Sequence, residues 1–539
     1  MKPTYDAQPA TPDAGASRVR EVRFVGQRAL LAELERTDDV LALQEHLTRN
    51  PMADQLEVIS AAETVLITCA NPEAAHRIRK ALLGLVFPPR QQGDSELVPI
   101  DVVYDGEDLR DVADRCGLTP EAVVNVHSAQ TWTAAFTGFS PGLAYMVGEN
   151  NILDVPRRSS PRTSVPAGSV ALAGHYSTVY PRQSPGGWQI IGRTHATMWD
   201  LGRENPALVR PGTRVAFQPV RALASTISAD SRAEEKKDGT GEGLRVIQSL
   251  PLTLIEDLGR TGHAAVGVST SGAMDRPSLK RANRVVGNPP GAAGLEIVDG
   301  GLSVEAAGDQ VLAVTGAPVE LRITSPHGAR TVPMAHPFAL LTGEVLTLGM
   351  PTSGFRCYLA ARGGFDTPKV LGSRSTDTMS GLGPAPVAPG QLLSVAPVKG
   401  LHCVGWPEPQ PDFSDPDATV LDVTLGPRHD WFTDEALALL GSTSWEVSND
   451  LNRVGMRLEG PVLQWGRTGE LPSEGTIAGS IQVPPSGQPV VFLSDHPTTG
   501  GYPVIAVLAE NQLEKAAQIR PGSSVRLRIS SPQKETTDA

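Results

Sequence analysis

The hydrophobic rhythm of the chain changes near residue 134. Before that point β-branched runs alternate with helical periods. Val22, Phe24 and Val25 open a strand, and residues 38–48 space Val40, Leu41, Leu43 and Leu47 along one helical face. Residues 63–69 read as a strand. Residues 72–85 read as a helix with Pro72 in its first turn, where a missing N–H costs nothing. A further strand is predicted over 97–104, with short helices over 108–116 and 119–126. Strands alternating with helices predict a compact α+β unit at the start. Beyond residue 134, short β-like runs separated by Gly/Pro turns continue almost to the end.

A weak internal repeat lies in the second texture. Val165-Pro-Ala-Gly168, Pro185-Gly-Gly-Trp188 and Arg210-Pro-Gly-Thr-Arg-Val-Ala-Phe217 recur as Val483-Pro-Pro-Ser-Gly487, Thr499-Gly-Gly-Tyr502 and Arg520-Pro-Gly-Ser-Ser-Val-Arg-Leu527. A fainter third copy joins Gly363-Gly-Phe365 to Pro389-Gly390. Glycine turns repeated between short strands predict several related β-barrels; chance in a Gly/Pro-rich chain is the alternative.

Composition adds limits. The 539 residues carry a net charge of −12, and 20% are charged. An acidic chain is a poor general binder of nucleic acid or anionic lipid. The 54 glycines and 46 prolines fit a turn-rich β protein. No run of about 18 apolar residues predicts a membrane span, and residues 1–20 lack the apolar core of a signal peptide. Four cysteines, at 69, 116, 357 and 403, form no CxxC pair, which points to a reducing cytoplasm. Residues 225–243, STISADSRAEEKKDGTGEG, have almost nothing to bury and read as a poorly ordered linker. The expected division is a tail (1–19), an α+β domain (20–130), a barrel (131–222), a linker (223–243), a first barrel part of the second half (244–405), a second part (406–530) and a tail (531–539).

Four segments join glycine to polar groups. In the first, Phe136 to Tyr145, Phe139 stands in a Gly-rich turn suited to close ligand approach, or else in a packed aromatic corner. The second gathers His175, Tyr176, Tyr180, Arg182, Gln183, Ser184 and Arg193, a mix that suits a small molecule bearing a carboxylate or amide. His175 is either a general acid/base or a structural histidine. The third has Ser271 as a helix N-cap, a helix over 274–286, and Asp275 and Arg276 in its first turn, where free N–H groups face an anion. Asp275 serves equally as a partner of the helix dipole. The fourth sets Arg453 and Arg457 four apart as a fork for phosphate or carboxylate, with Gln482, Asp495, Thr498, Thr499, Gly500, Gly501 and Tyr502 facing the same cleft. The alternative is an Arg453–Asp495 pair that locks two loops. No P-loop, HExxH, CxxC, Ala-Met-Lys-Met biotin segment or Ser-Ser-Lys amidase constellation occurs, and no metal ligand set is assigned.

On FTGFSPGLAYM (136–146) and SPRTSVPAGSVALAGHYSTVYPRQSPGGWQIIGRT (160–194), the first half resembles the KipI-like family, allophanate hydrolase subunit 1. On SGAMDRPSLKRANRVVGNPPGAAGLEI, ARGGFDTPKVLGSRST and the run from Gly479 to Gly522, the second half resembles the KipA-like family, allophanate hydrolase subunit 2 or biotin-dependent carboxyltransferase domain. The resemblance implies a mainly β protein with an α+β N-terminal domain and several cyclophilin-like β-barrels. It implies a fusion of the B and C components of an ATP-dependent 5-oxoprolinase, a lactam hydrolase that works with a separate LamB/YcsF-type component. ATP with Mg²⁺ would be used and no biotin attached to this chain. Two rival functions remain open: carboxyl transfer in a biotin-dependent urea or amide carboxylase, and inhibition of a histidine kinase. Under the first reading, Ser271, Arg276, Arg453, Arg457 and Thr498–Gly501 would meet phosphate; His175, Asp275 and Asp495 would be catalytic, the two aspartates as base or metal groups; and Phe139, Tyr176, Tyr180, Arg182, Gln183, Ser184, Arg193, Gln482 and Tyr502 would hold substrate, together with His175. The two halves are expected to pair within the chain, and a homo-oligomer stays open.

Overall fold

The computed structural model describes residues 17–90, 97–223, 242–398, 403–413 and 418–530. The linker and both predicted tails therefore lie largely outside the described residues. In the first unit, strands Glu21–Val25, Ala29–Glu33, Thr64–Cys69 and Gln55–Ser60 form one antiparallel sheet in that order. Helices Thr37–Arg49 and Pro72–Leu83 cover it, burying Val40, Leu43, Leu47, Ile78 and Leu82 against Leu30, Val65 and Ile67. The alternation read from the sequence fixes both helices to within a few residues. Asn71 caps the second by accepting from the Ala74 N–H at 2.8 Å.

The two strong repeat copies are two barrels of one topology. In the first half, strand Arg214–Pro219 pairs in parallel with Leu97–Val102 and antiparallel with Trp132–Thr137. In the second half, strand Ser524–Ile529 pairs in parallel with Thr419–Leu425 and antiparallel with Ser444–Val447, closing a seven-stranded barrel. Each barrel also carries a helix that is capped by a threonine. Thr119 accepts from Ala122 N and Thr433 from Ala436 N. In each a tryptophan on the next strand donates to a carbonyl five residues back, Trp132 to His127 and Trp445 to Leu440. These matched details carry the duplication further than the glycine turns do. Because Leu97–Val102 belongs to the first barrel's sheet, the division expected at residue 130 falls inside that unit.

The fainter third copy sits in a different arrangement. Residues 243–398 form a six-stranded and a five-stranded sheet facing each other across one apolar core. Helix Arg276–Val285 packs outside, with Ala282, Val285 and Val286 against Ala313 and Ala360.

The halves interlock. Val25, Ala29, Leu31, Ile59 and Leu66 of the first share an apolar cluster with Ala264, Val504 and Val507 of the second. Arg428 Nη1 reaches Glu33 at 2.6 Å, Ala62 N–H donates to Ser473 O at 3.0 Å, and Thr137 Oγ1 donates to Ala265 O at 2.6 Å.

Candidate functional site

Two arrangements meet where the halves touch. The first is a buried ionic cluster. Strand register sets Glu296 opposite Leu254 on one side and Tyr358 on the other, with Glu256 two residues along. Into this space comes Arg453, from a turn held by Asn452 Oδ1, which accepts from Val454 and Gly455 N–H. Arg453 donates to both oxygens of Asp495 at 3.0 Å, to Glu296 Oε1 at 2.6 Å and to the Gly272 carbonyl at 2.7 Å. Asp495 also accepts from Ser271 Oγ at 2.6 Å and from the Thr378 N–H and hydroxyl at 2.8 Å. Glu296 Oε2 accepts from Tyr358 Oη at 2.7 Å and Met274 N–H at 2.9 Å. Arg356 lies 3.6 Å from Glu296, and Glu256 3.5 Å from Arg453.

Burial raises every carboxyl here, and the neighbours decide the outcome. For Glu296, Arg453 and Arg356 outweigh burial and hold it below the usual range. For Asp495, Arg453 and the Ser271 and Thr378 donors do the same. Glu256 keeps only part of Arg453 and faces the charges of Glu296 and Asp495, so burial wins and its carboxyl is raised well above the usual value. A neutral Glu256 balances two arginines against two carboxylates.

The sequence-based fork is thereby corrected. Arg453 and Arg457 are not on a helix. Arg457 lies on strand Gly455–Glu459, exposed, 3.8 Å from Asp450. Arg453 is enclosed by carboxylates, which is the loop-locking arrangement. Ser271 is not an N-cap either: the helix starts at Arg276 and its cap is Asp275, which accepts from Ser278 N–H at 3.0 Å. Asp275 also accepts from Ser278 Oγ and from Gln518 Nε2. Magnesium does not fit on Asp275 or Asp495, because both oxygens of each are already taken by donors. Among the described residues no group of three or more His, Cys, Asp or Glu is placed to hold a metal.

The second arrangement is the junction itself. The turn after strand Trp132–Thr137 carries Phe139 at φ +64 and lays Ser140 against Gly267 of the other half. The Gly142 N–H donates to Val266 O at 3.4 Å. Gly138 must be glycine, since a Cβ there would stand 1.8 Å from Thr499 Oγ1. Arg182 crosses to the second half and donates to Met379 O beside Asp377. Asp377 lies 3.9 Å from Arg260 and accepts from Ser269 Oγ at 3.3 Å. Arg260 is 1% exposed and donates to Ser375 O. The Nε of Arg182, the Nε and Nη1 of Arg260, and the hydroxyls of Ser140 and Thr498 are buried without a hydrogen-bond partner. Desolvated donors left unmet cost free energy. The two guanidinium edges, both beside Asp377, are suited to a small carboxylate or amide.

The remaining expected residues divide. His175 is half-buried with its ring 4.1 Å from that of Tyr176, whose ring in turn meets Phe136 and Tyr145. Tyr180 is buried, its phenol pushed up to about 12 by burial. Ser184 sits in a two-stranded ribbon with residues 162–165, and Gln183 is exposed. Arg193 is turned to solvent and paired with Asp105 at 2.9 Å. Gln482 is buried and donates to Tyr502 O, with Gly500 against its amide, while the Tyr502 ring is 43% exposed. Thr499 seals the Gly138 contact. Gly501 has a Cβ position no closer than 3.8 Å to any neighbour. Arg276 is half-buried and donates to Ser271 O. Gln183, Arg193, Arg457 and the Tyr502 ring thus do not join the buried groups.

Sequence reasoning passed over Arg356 and Asp377, and gave no role to Glu256, Arg260 and Ser140, although all three lie in its glycine-and-polar segments. Charges set inside apolar strand runs, LTLIE and GLEIV, were the available signal for the glutamates. Residues 138–142 also spell G-x-S-x-G. They join two strands, however, not a strand to a helix, and Ser140 Oγ has no hydrogen-bond partner, so they are not a nucleophile elbow.

Comparison with known proteins follows the same two halves. Residues 20–209 match the family model for carboxyltransferase domain, subdomain C and D, and residues 266–529 match that for subdomain A and B. The chain is 36% identical over 206 residues to the B component of 5-oxoprolinase from Escherichia coli O157:H7, covering 36% of this chain and 94% of that one. It is 34% identical over 292 residues to the C component of 5-oxoprolinase from Escherichia coli K12, covering 52% of this chain and 89% of that one. The crystallised protein TTHA0988 aligns with a TM-score of 0.81 at 31% identity, over 94% of this chain and 100% of that one.

Proposed function

Because this chain belongs to the carboxyltransferase-domain family, with subdomains C and D in its first half and A and B in its second, we propose that it is the fused B and C component of an ATP-dependent 5-oxoprolinase. The observation that carries this reading is coverage: nearly the whole of a B component and then of a C component runs along one chain. The chemistry is an amide problem. A five-membered lactam resists hydrolysis because its amide is resonance-stabilised. Transfer of the γ-phosphoryl group to the amide oxygen releases ADP and activates the carbon. One water then opens the ring and a second displaces phosphate, leaving glutamate. In this reading Arg182 and Arg260 hold the substrate carboxylate by their unmet N–H edges, and His175, Tyr176 and Tyr180 are the first-half candidates for the rest of the substrate. A LamB/YcsF-type partner completes the enzyme in the cytoplasm. No helix among the described residues is long and apolar enough to cross a membrane.

The test is glutamate release from 5-oxoproline by the full chain mixed with such a partner, with and without ATP. ATP-dependent release is expected, with little from the chain alone. The family's carboxyltransferase description favours a second reading, carboxyl transfer from a biotin carrier to urea or a related amide. Transfer to urea in the presence of a carboxylated carrier, with no glutamate formed in the first assay, would establish that reading instead.

A further inference from the structure

Beside the junction, a cleft of about 920 Å³ opens between the first helix, the end of the first barrel and the second half. Its size is that of a small-molecule site. Four arginines line it: Arg49, Arg90, Arg203 and Arg210. Glu45 is the one carboxylate in the lining among the described residues, and Arg49 already holds it at 2.5 Å. In a chain of net charge −12, three further arginines facing one space are a local reversal of sign.

The arginines come from three separate places in the chain, so no helix face explains their convergence. Arg49 ends helix Thr37–Arg49, where a cation offsets the helix dipole. The other three have no such role. Arg90 donates to Gly212 O at 2.6 Å, and Arg210 to Asn205 at 2.9 Å, both neutral acceptors. Arg203 stands 3.7 Å from Asp200, and its Nη1 is buried without a hydrogen-bond partner. The turn that brings them together is the Arg-Pro-Gly repeat element. Gly212 has φ +87, and a Cβ there would stand 2.6 Å from Arg90 Nη2. The second copy imposes no such demand, since a Cβ at Gly522 would meet nothing within 4 Å. The first-copy turn is therefore shaped around an arginine. The lining also includes apolar side chains, Leu41, Val98, Leu208, Ala265 and Val266. The last two belong to the same second-half turn that Thr137 and Gly142 grip at the junction.

A lining that joins several guanidinium groups to apolar side chains matches a nucleotide, with its polyphosphate and its base. We propose that this arginine-lined cleft binds the triphosphate of a nucleoside triphosphate. The choice of ATP rests on the activity proposed above; the phosphate chemistry of the cleft does not. The buried Arg453 cluster, by contrast, already surrounds its arginine with Asp495, Glu296 and Glu256, whose charges disfavour a phosphate.

The test is titration of the full chain with ATP, and separately with inorganic tripolyphosphate, by calorimetry at low salt. Both are expected to bind, ATP more tightly because of the apolar lining residues. Arg203→Ser/Arg210→Ser should weaken both by at least about tenfold, with an unchanged melting temperature. If the double variant melts early, Arg210→Ser alone, an exposed side chain, serves in its place. Tripolyphosphate binding as tight as ATP would assign the site to polyphosphate and overturn the nucleotide proposal. Absence of binding to the wild-type chain would overturn it too, as would variants that keep wild-type affinity. A variant that retains ATP-dependent glutamate release at the wild-type KM for ATP would sink the cleft while leaving the 5-oxoprolinase reading intact. Arginine-dependent ATP binding without any glutamate release would do the reverse.

Discussion

Replacing Arg453 by Met removes the cation that faces Asp495 and Glu296 and keeps most of the side-chain volume. Asp495 would retain Ser271 Oγ and the two Thr378 donors, and Glu296 would retain Tyr358, Met274 N–H and Arg356. Two ionised carboxylates would then face one remaining guanidinium in a dry interior. Breaking a buried pair from one side costs about 3–5 kcal/mol. For a unit of this size that corresponds to a melting temperature lower by roughly 10 °C. Glu256→Gln is the contrasting perturbation. A carboxyl that is already neutral loses little on becoming an amide, so the cost is below about 1 kcal/mol at neutral pH. The sign of its pH dependence follows from a folded pKa raised above the unfolded value of 4.5. Its contribution is fully present below 4.5 and lost as pH rises through the folded value, so Glu256→Gln should flatten that decline. Thermal melts of the wild type and both variants from about pH 4 to 9 read all of this. A Glu256→Gln loss as large as that of Arg453→Met would show an ionised Glu256. An Arg453→Met chain that melts like the wild type yet no longer releases glutamate with ATP would make Arg453 a ligand group and refute the cluster reading.

Three further outcomes are expected. His127 is fully buried between Tyr104 Oη and Ser177 Oγ, with its pKa lowered by burial from 6.5 to about 3, so stability should fall by about 1.4 kcal/mol per pH unit from 6.5 towards 3, and melts of His127→Gln should lack that part of the slope. Proteolysis between residues 225 and 243 should leave two fragments that co-elute on gel filtration; two separate monomers would contradict the interlock. In that cleaved chain Gly138→Ala should weaken the fragments' association by about 1–3 kcal/mol through its clash with Thr499, which a dilution series on the same column would measure.

What the sequence disclosed depended on how local the signal was. Both early helices and the duplicated barrel were legible because periodicity and turn glycines are properties of short windows. The polar clusters were legible as places but not as roles. Arg453 and Arg457 look equivalent four residues apart, yet a turn at Asn452 and a strand from Gly455 send one into the core and the other to solvent. Ser271 looks like a cap, but the backbone spends Ser271 and Gly272 at positive φ before Asp275 takes that task. The partners that decide these fates, Glu256 and Glu296 for Arg453 and Asp377 for Arg182, lie between about 150 and 200 residues away in sequence. No window of the sequence contains both members.

The same long-range pairing explains why one chain holds both halves. Arg428 of the second half lies between its own Glu474 and Glu33 of the first, and Glu33 is further held by Arg20 and Arg23. Apart, the halves would leave Glu33 without its deepest partner and an apolar cluster open to water. Burial dominates at Glu474 and raises it, so its pairing with Arg428 already depends on a dry surround. A covalent tether keeps the second partner at an effective concentration in the millimolar range, whatever the abundance of the protein. Arg182 and Arg260, one from each half, then meet around Asp377 in every folded molecule. The carboxylate site proposed above draws one guanidinium from each half, so under that reading substrate binding and docking are thermodynamically linked: each must strengthen the other by the same factor.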